Sequence, residues 1–295
     1  MKEFVHSLEV NSSPFHEFYD IRNDIGNSIR AEIRYPHSKG NHPILLICHS
    51  FMAFKDWGFF PYIARQFSGN GFATLTFNFS KNGVVGDGNR ITDFAAFASN
   101  TFTQELHDLE RIITALQSGE IGRNIDFNRL VLLGHSRGGG IALLAASRDQ
   151  RVRGLITWAA ISTFDRWTPH QKEQWRARGY LPLAKDSMVS PLRMGANILE
   201  DIELHHDDYD LRKAASRLQV PWLLLHGKAD VTVSPREAEM LFAHAPKNST
   251  ELAIVEHAGH LFNAASPTGD RYQILQSIID TTTHWLKKHF TEDHP

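Results

Sequence analysis

The chain has 295 residues, of which 42% are hydrophobic and 22% charged, a balance typical of a soluble globular protein with a sizeable core. Its formal net charge is -2, and no cluster of basic residues is present that could neutralise phosphates, so we expect no nucleic-acid or membrane partner. No run of about 18 apolar residues occurs, and no apolar segment follows Met1, so we expect neither a membrane span nor secretion.

The first regular elements are two short segments in which apolar and polar residues alternate, at 15–20 and 28–35. This alternation is typical of antiparallel strands with one buried face. The two segments therefore predict a hairpin at the start of the domain.

After residue 43 the pattern changes to short, almost continuous apolar runs, which are typical of strands covered on both faces. These runs lie at 44–48, 73–77, 130–133, 155–159 and 222–225, and a last strand is expected at 251–255. Helical stretches lie between or after them, at 61–68, 101–117, 139–147, 235–243 and 271–289. The alternation predicts an α/β fold with a mostly parallel sheet flanked by helices.

The segment 163–217 interrupts this alternation, because it has helical patterns and no clear strand. Thr168 and Pro169 are typical of an N-cap and a first helical position, and a second helix is expected at 194–203. We interpret 163–217 as a helical cap inserted into a single domain that spans residues 1–295.

A glycine-rich turn connects the strand at 130–133 to the helix that follows it. Gly134, Ser136 and Gly138 form a G-x-S-x-G motif, and small residues on both sides of the serine allow a tight strand-to-helix turn. At a helix N-terminus, backbone amides and the positive end of the dipole face the developing negative charge of an acyl transfer. Ser136 is therefore the predicted nucleophile, and the amide of Arg137 is a predicted oxyanion donor.

A serine nucleophile needs a histidine as base and a carboxylate to orient that histidine, and in this type of sheet they follow in the order serine, acid, histidine. Among seventeen histidines, His260 lies just after the last strand and before the final helix, with His257 as the nearest alternative. Asp230 follows the strand at 222–225 and is the predicted acid, with Asp165 as the alternative.

The loop after the strand at 44–48 is expected to supply a second oxyanion donor, the amide of Phe51. Four aromatic residues are candidates for the substrate pocket: Phe51, Phe54, Trp158 and Trp167. Trp158 fits the core equally well. The side chain of Arg137 fits two roles, a contact to an anionic substrate group or a surface salt bridge.

These segments together resemble the α/β-hydrolase superfamily, over residues 28–289. Residues 49–60 are similar to the H-G-F loop of the dienelactone-hydrolase-like and feruloyl-esterase-like branch, and residues 134–139, 226–230 and 257–260 are similar to its other motifs. The resemblance implies a carboxylesterase-type reaction without a metal or organic cofactor. Ser50 departs from the family's glycine and adds a side chain to the oxyanion loop. A serine at the elbow argues against haloalkane dehalogenases, epoxide hydrolases and dienelactone hydrolase proper.

Two other features are given structural interpretations. Residues 205–208 combine two histidines and two aspartates, but adjacent side chains point apart, so we expect a solvated segment and no metal site. Cys48 is the chain's single cysteine and lies in an apolar run, which predicts a buried thiol in a reducing compartment, the cytoplasm.

The sequence thus predicts a serine hydrolase that cleaves small acyl or aryl esters through an acyl-enzyme. The same residues would also serve a peptidase or an acyltransferase, and this type of fold also serves non-catalytic binding proteins. The expected partner is a small-molecule ester, and the assembly we consider is a homodimer.

Overall fold

The computed structural model describes residues 15–183, 192–264 and 271–291. The strands within these ranges are β1 His16–Arg22, β2 Ser28–Arg34, β3 His42–Cys48, β4 Ala73–Phe77, β5 Ile125–His135, β6 Gly154–Trp158, β7 Tyr180–Pro182, β8 Arg193–Gly195, β9 Trp222–Gly227 and β10 Thr250–Val255. The helices there are α1 Phe60–Gly69, α2 Phe94–Ala98, α3 Phe102–Ser118, α4 Arg137–Ala146, α5 Pro169–Arg178, α6 Asn197–Leu204, α7 Leu211–Arg217, α8 Pro235–His244 and α9 Arg271–Phe290. None of these helices is both long and apolar enough to cross a membrane.

The main sheet has the strand order β1-β2-β4-β3-β5-β6-β9-β10. β2 pairs antiparallel with β1 and with β4, whereas the neighbours from β4 to β10 pair parallel. The predicted leading hairpin and the mostly parallel sheet are therefore confirmed. β3 and β5 lie side by side at the centre, so the loops that leave their carboxyl ends lie next to each other.

Each central strand is buried on both faces, as its continuous apolar sequence predicts. In β3, Ile44 and Leu46 belong to one core cluster, while Leu45 and Ile47 belong to the other. The first cluster includes side chains from α3, α4 and α8, and the second includes side chains from α1 and α9. The strands are thus covered by a helical layer on each face, and Cys48 is fully buried between them.

α4 begins at Arg137, two residues before the predicted start at 139. Glycines are poor helix formers, so sequence pattern alone places the start after them. A Cβ on Gly139 would lie 2.6 Å from the Cβ of Ala160. The glycines therefore let the first turn of α4 pack against the chain that follows β6.

The segment 163–217 contains α5, α6 and α7 and a separate hairpin of β7 and β8. Thr168 caps α5 in a capping box with Gln171, as predicted. The predicted helix at 194–203 begins only at Asn197, because residues 193–195 pair with 180–182 instead. The interpretation of this segment as a cap stays a prediction.

Asp201, on α6, connects this segment to the main sheet domain through the N-terminus of α3. Its carboxylate accepts hydrogen bonds from the amides of Phe102 at 2.9 Å and Thr103 at 3.1 Å, and from the Thr103 hydroxyl. The first amides of a helix have no acceptor within the helix, so an acceptor from another element stabilises them. The carboxylate also lies at the positive end of the helix dipole.

We expect Asp201→Ala to lower the free energy of unfolding by about 1–3 kcal/mol, since it leaves two partly buried amides without an acceptor. The measurement is urea unfolding followed by circular dichroism. Glu203→Ala is the matched control, because Glu203 lies on the same helix with an exposed carboxylate. Equal unfolding midpoints for the two variants would contradict the contribution of Asp201.

Candidate active site

A sharp turn at the carboxyl end of β5 carries Ser136, with φ 57° and ψ -120°. These backbone angles are uncommon for a residue other than glycine. A Cβ at Gly134 would lie 2.3 Å from the Gly138 carbonyl oxygen, and one at Gly138 would lie 2.3 Å from the His49 carbonyl oxygen. Glycine is therefore required at both positions, and the turn places the buried Ser136 at the carboxyl edge of the sheet next to the loop after β3.

The structure brings the predicted nucleophile, base and acid into one hydrogen-bonded row. His260 Nδ1 lies 2.7 Å from Asp230 Oδ2, and His260 Nε2 lies 3.0 Å from Ser136 Oγ. Because a carboxylate only accepts hydrogen bonds, Nδ1 carries the proton, and the lone pair of Nε2 faces the serine hydroxyl. His260 is therefore in the tautomer that can accept the serine proton.

Asp230 is held as a carboxylate by several donors. Its Oδ1 accepts the amides of Thr232 and Val233, each at 2.9 Å, and its Oδ2 lies 3.2 Å from His226 Nε2. Burial alone would raise the pKa of Asp230, but the hydrogen bonds from His226, His260 and Val233 outweigh it and hold the pKa well below its usual range. The acid is thus ionised at neutral pH.

The loops that carry the acid and the base are packed directly against each other. The Ala229 amide donates to the Ala258 carbonyl at 2.9 Å, and a Cβ on Gly227 would lie 2.2 Å from that same oxygen. These contacts set the distance between Asp230 and His260 through the backbone.

Two further buried histidines hold neighbouring parts of the site. His49 Nε2 accepts the Phe79 amide at 3.2 Å, so Nδ1 carries the proton and donates to the Ser50 carbonyl at 2.9 Å. His135 Nε2 donates to the carbonyl of His260 at 2.9 Å. Burial lowers the pKa of His49 to about 4 and that of His135 to about 3, so both are neutral at pH 7.

These lowered pKa values predict a loss of stability in mild acid. The unfolded chain protonates each histidine near pH 6.5, so the stabilisation is fully present above that pH and is lost as the pH falls, by about 2 kcal/mol per histidine at pH 5. Urea unfolding midpoints at pH 7.5 and pH 5 measure the loss. We expect a smaller loss in His135→Gln, which keeps an N–H donor, and an unchanged loss in His206→Gln, whose side chain is exposed. Equal losses in His135→Gln and the wild type would contradict the assignment.

The two predicted oxyanion donors belong to adjacent loops. Arg137 is the first residue of α4, so its amide has no acceptor within the helix. Within the described ranges, no protein group accepts a hydrogen bond from the Phe51 amide. The positive φ values in the loop between β3 and α1 occur at Met52, 60°, and Gly58, 57°, and not at Ser50. A serine therefore adopts the backbone at position 50 without strain.

The alternative base and acid lie away from the row of hydrogen bonds. His257 is exposed, and its carbonyl accepts the Asn263 side chain. Asp165 is exposed and forms an ion pair with Lys172. Neither contacts Ser136. Both alternatives also fit the chain order of serine, acid and histidine, so it is the hydrogen bonds of His260 with Asp230 and Ser136 that distinguish the residues that meet.

The four aromatic candidates for the substrate pocket lie in different environments. Trp158 is fully buried among core aromatic rings, and its Nε1 donates to Thr282 Oγ1 at 3.2 Å. It is a core residue and not the predicted pocket residue, because its position in β6 points it into the layer beneath α1 and α9. Phe54 is buried, and Trp167 packs edge-on against Trp175 at 5.0 Å. Phe51 is half-buried and stays a candidate.

No group of three histidine, cysteine, aspartate or glutamate side chains that could hold a metal ion occurs in the described part of the chain. In the 205–208 segment, His205 lies 4.0 Å from both Asp201 and Asp208, whereas His206 faces Asp207 at 3.5 Å. The two histidines thus contact different carboxylates.

Four buried residues at the site were not predicted: His49, Glu105, His135 and His226. His135 lies inside the G-x-S-x-G motif and His226 lies four residues before Asp230, so both follow strand ends that the pattern identifies. Their position at the ends of predicted strands could have indicated that these two histidines lie at the site. Glu105 lies on an amphipathic helix, and no local pattern distinguishes it from the other charged residues of α3.

Comparisons with known proteins agree with this fold. A sequence model of the alpha/beta hydrolase family matches residues 44–270, and the chain therefore belongs to that family. An uncharacterised 31.7 kDa protein from the traX-finO intergenic region of Escherichia coli is 22% identical over 298 residues, covering 90% of this chain and 97% of that protein. The 2,6-dihydropseudooxynicotine hydrolase of Paenarthrobacter nicotinovorans is 27% identical over 202 residues, covering 67% of this chain and 47% of that enzyme.

Solved structures with a similar fold include the esterase domain of a Rhodothermus marinus protein, with a TM-score of 0.62, 20% identity, and coverage of 93% of this chain and 98% of that chain. Est1E from Butyrivibrio proteoclasticus with bound ferulic acid has a TM-score of 0.67 and 14% identity, and the match covers 90% of this chain and 97% of that chain. At these identities the likeness shows the fold. The predicted α/β-hydrolase fold is confirmed, and the protein is a member of a hydrolase family with esterases among its structural neighbours.

Proposed function

We propose that the protein is a serine hydrolase that cleaves carboxylic esters through an acyl-enzyme. The observation that carries the proposal is the hydrogen-bonded row from Ser136 Oγ to His260 Nε2 and from His260 Nδ1 to Asp230 Oδ2. A serine on a strained turn, a histidine in the accepting tautomer and an ionised, buried carboxylate are the parts that nucleophilic acyl transfer requires.

The first half of the reaction forms an ester on the enzyme. Ser136 Oγ attacks the carbonyl carbon while His260 Nε2 takes its proton, and Asp230 stabilises the imidazolium. The carbonyl electron pair moves onto oxygen, which accepts hydrogen bonds from the amides of Phe51 and Arg137. When the tetrahedral intermediate collapses, the bond to the leaving alcohol breaks and His260 donates its proton to that alcohol.

The second half releases the acid. His260 takes a proton from a water molecule, the resulting hydroxide attacks the acyl carbon, and the bond to Ser136 Oγ breaks as His260 returns its proton to that oxygen. Water is the only co-reactant in this scheme.

Small acyl or aryl esters are the proposed substrates. The half-buried ring of Phe51 lies 5.6 Å from the ring of Phe97, which supports an apolar environment beside the oxyanion loop. The ferulic acid bound to Est1E, a structural neighbour, gives the proposal a chemical class to test, an aromatic acyl group. A homodimer and a cytoplasmic location stay predictions.

A fluorophosphonate probe tests the proposal directly, because it forms a stable covalent bond only with an activated serine. We expect mass spectrometry to find the adduct on the peptide that contains Ser136, and we expect hydrolysis of p-nitrophenyl acetate and of methyl ferulate. Comparison with aminoacyl p-nitroanilides distinguishes an esterase from a peptidase. A folded protein, as judged by circular dichroism, that is neither labelled nor active on any ester would overturn the proposal.

A further inference from the structure

The side chain that follows the nucleophile is buried in an ion pair. Arg137 Nε lies 2.9 Å from Glu105 Oε2, and Nη2 lies 2.7 Å from Oε1, so the two side chains meet in a bidentate arrangement. Both residues are buried, and Glu105 Oε1 also accepts the Asn100 side-chain amide at 2.7 Å. Because Glu105 neutralises the guanidinium, Arg137 forms a salt bridge, although a buried one and not the predicted surface one, and no free charge is left for an anionic substrate.

The guanidinium also lies between two aromatic rings. Its Cζ is 4.9 Å from the ring centroid of Phe51 and 4.5 Å from that of Phe102, distances typical of cation–π contacts. Phe102 belongs to the first turn of α3, the same helix that carries Glu105. The side chain of Arg137 therefore connects the loop after β3, the turn after β5 and the N-terminus of α3.

The two residues in contact here are the two proposed oxyanion donors. Phe51 and Arg137 each offer a backbone amide to the substrate oxygen. Both amides can donate to that one atom only if they are held at the right distance from each other. The β3 loop carries Phe51 on an irregular backbone with a positive φ at the next residue, so regular secondary structure does not fix the position of its amide. The Ala53 amide closes the turn by donating to the Ser50 carbonyl at 3.1 Å, and the contact between the Phe51 ring and the Arg137 guanidinium connects this turn to α4.

A buried ion pair is a weak source of stability, because desolvation of the two charges offsets their attraction. Replacing such a pair with apolar side chains of similar volume is often neutral or stabilising. Such side chains would lack the rigid bidentate geometry that fixes the guanidinium plane. The geometry therefore favours a role in positioning over a role in stability.

We propose that the Arg137–Glu105 ion pair is a positioning device for the oxyanion hole, which fixes the Phe51 amide relative to the Arg137 amide. This inference rests on the proposed esterase function. Arg137 contributes through its side chain to the geometry in which the Phe51 amide meets the transition state, and Glu105 contributes by holding that side chain.

The test compares Arg137→Met, Glu105→Gln and the double variant Arg137→Met/Glu105→Leu with the wild type. The readouts are kcat and KM for p-nitrophenyl acetate, the Ki of 2,2,2-trifluoroacetophenone, and the thermal midpoint. The Ser136 hydroxyl adds to this ketone to form a hemiketal whose oxygen occupies the oxyanion hole. The Ki of the ketone therefore measures how well the oxyanion hole binds that oxygen. We expect each single variant to lose about 10- to 100-fold in kcat with KM unchanged, and Ki to rise by the same factor.

The double variant separates positioning from stability. Replacing both charges with apolar groups is expected to restore the thermal midpoint. It is expected to leave kcat and Ki at the values of the single variants. Recovery of kcat and Ki along with the midpoint would overturn the proposal, because the pair would then be a packing element only. If Arg137→Met fails to fold, Arg137→Lys, which keeps the charge but not the planar fork, is expected to show the same parallel loss in kcat and Ki.

Arg151→Met is the matched control, since Arg151 also forms a bidentate ion pair, with Asp149, beyond the other end of α4. It is expected to keep wild-type kcat, KM and Ki. The outcome also distinguishes the two proposals. A wild-type protein that resists fluorophosphonate labelling contradicts the esterase function, whereas labelled variants with wild-type kcat and Ki contradict only the positioning role.

Discussion

Ser136→Ala is expected to lower kcat for p-nitrophenyl acetate by about 10⁴- to 10⁶-fold, because no other group can form the acyl-enzyme. KM is expected to change little, since the hydroxyl contributes to the transition state more than to substrate binding. The backbone of the elbow is retained in this variant, so the fold and the two oxyanion amides stay in place. Steady-state kinetics together with loss of fluorophosphonate labelling measure the effect.

Ser147→Ala is the matched control for this variant. Ser147 caps the opposite end of α4, where its hydroxyl donates to the Leu144 carbonyl at 2.8 Å. We expect it to keep wild-type kcat. Full turnover by Ser136→Ala would mean that the reaction does not pass through this serine.

The second large effect is expected for Asp230→Asn, which should lower kcat by about 10⁴-fold. The amides of Thr232 and Val233 both donate to Asp230 Oδ1, so the amide oxygen of an asparagine must occupy that position. The NH₂ group then faces His260 Nδ1 and donates to it. His260 is driven into the opposite tautomer, with a proton on Nε2, and can no longer accept the serine proton.

Asp165→Asn is the control for this substitution, because Asp165 is the other carboxylate in a comparable position after a strand and is exposed. It is expected to retain wild-type kcat/KM at pH 7.5. A large loss in Asp165→Asn, with none in Asp230→Asn, would reverse the assignment of the acid.

The features that sequence pattern predicted correctly are those encoded locally. β3 reads as a buried strand because every residue from Ile44 to Cys48 is apolar, and both of its faces are indeed covered. The elbow was predictable because Gly134 and Gly138 stand at the two positions where any side chain would collide with backbone. His260 and Asp230 were found because each follows a strand end, and parallel strands bring such ends to one edge.

The features that pattern missed depend on contacts between distant residues. Glu105 is one of several charged residues on α3, and its partner lies 32 residues away on another helix. Trp158 fitted either a pocket or the core, and only the packing of α1 and α9 against β6 decided between them. β7 and β8 have three residues each, so their pairing depends on tertiary context more than on β propensity.

The segment 163–217 leaves the sheet after β6 and returns to it before β9, and these two strands are hydrogen-bonded neighbours, with Leu155 opposite Trp222 and Trp158 opposite Leu225. Its two ends therefore meet the sheet at adjacent strands. A change in the length of the segment therefore leaves the pairing of β6 with β9 intact. Ser136, Asp230 and His260 lie outside the segment, but Asp201 of the segment holds the N-terminus of α3, the helix that carries Glu105, so a change in the segment can reach the site through α3.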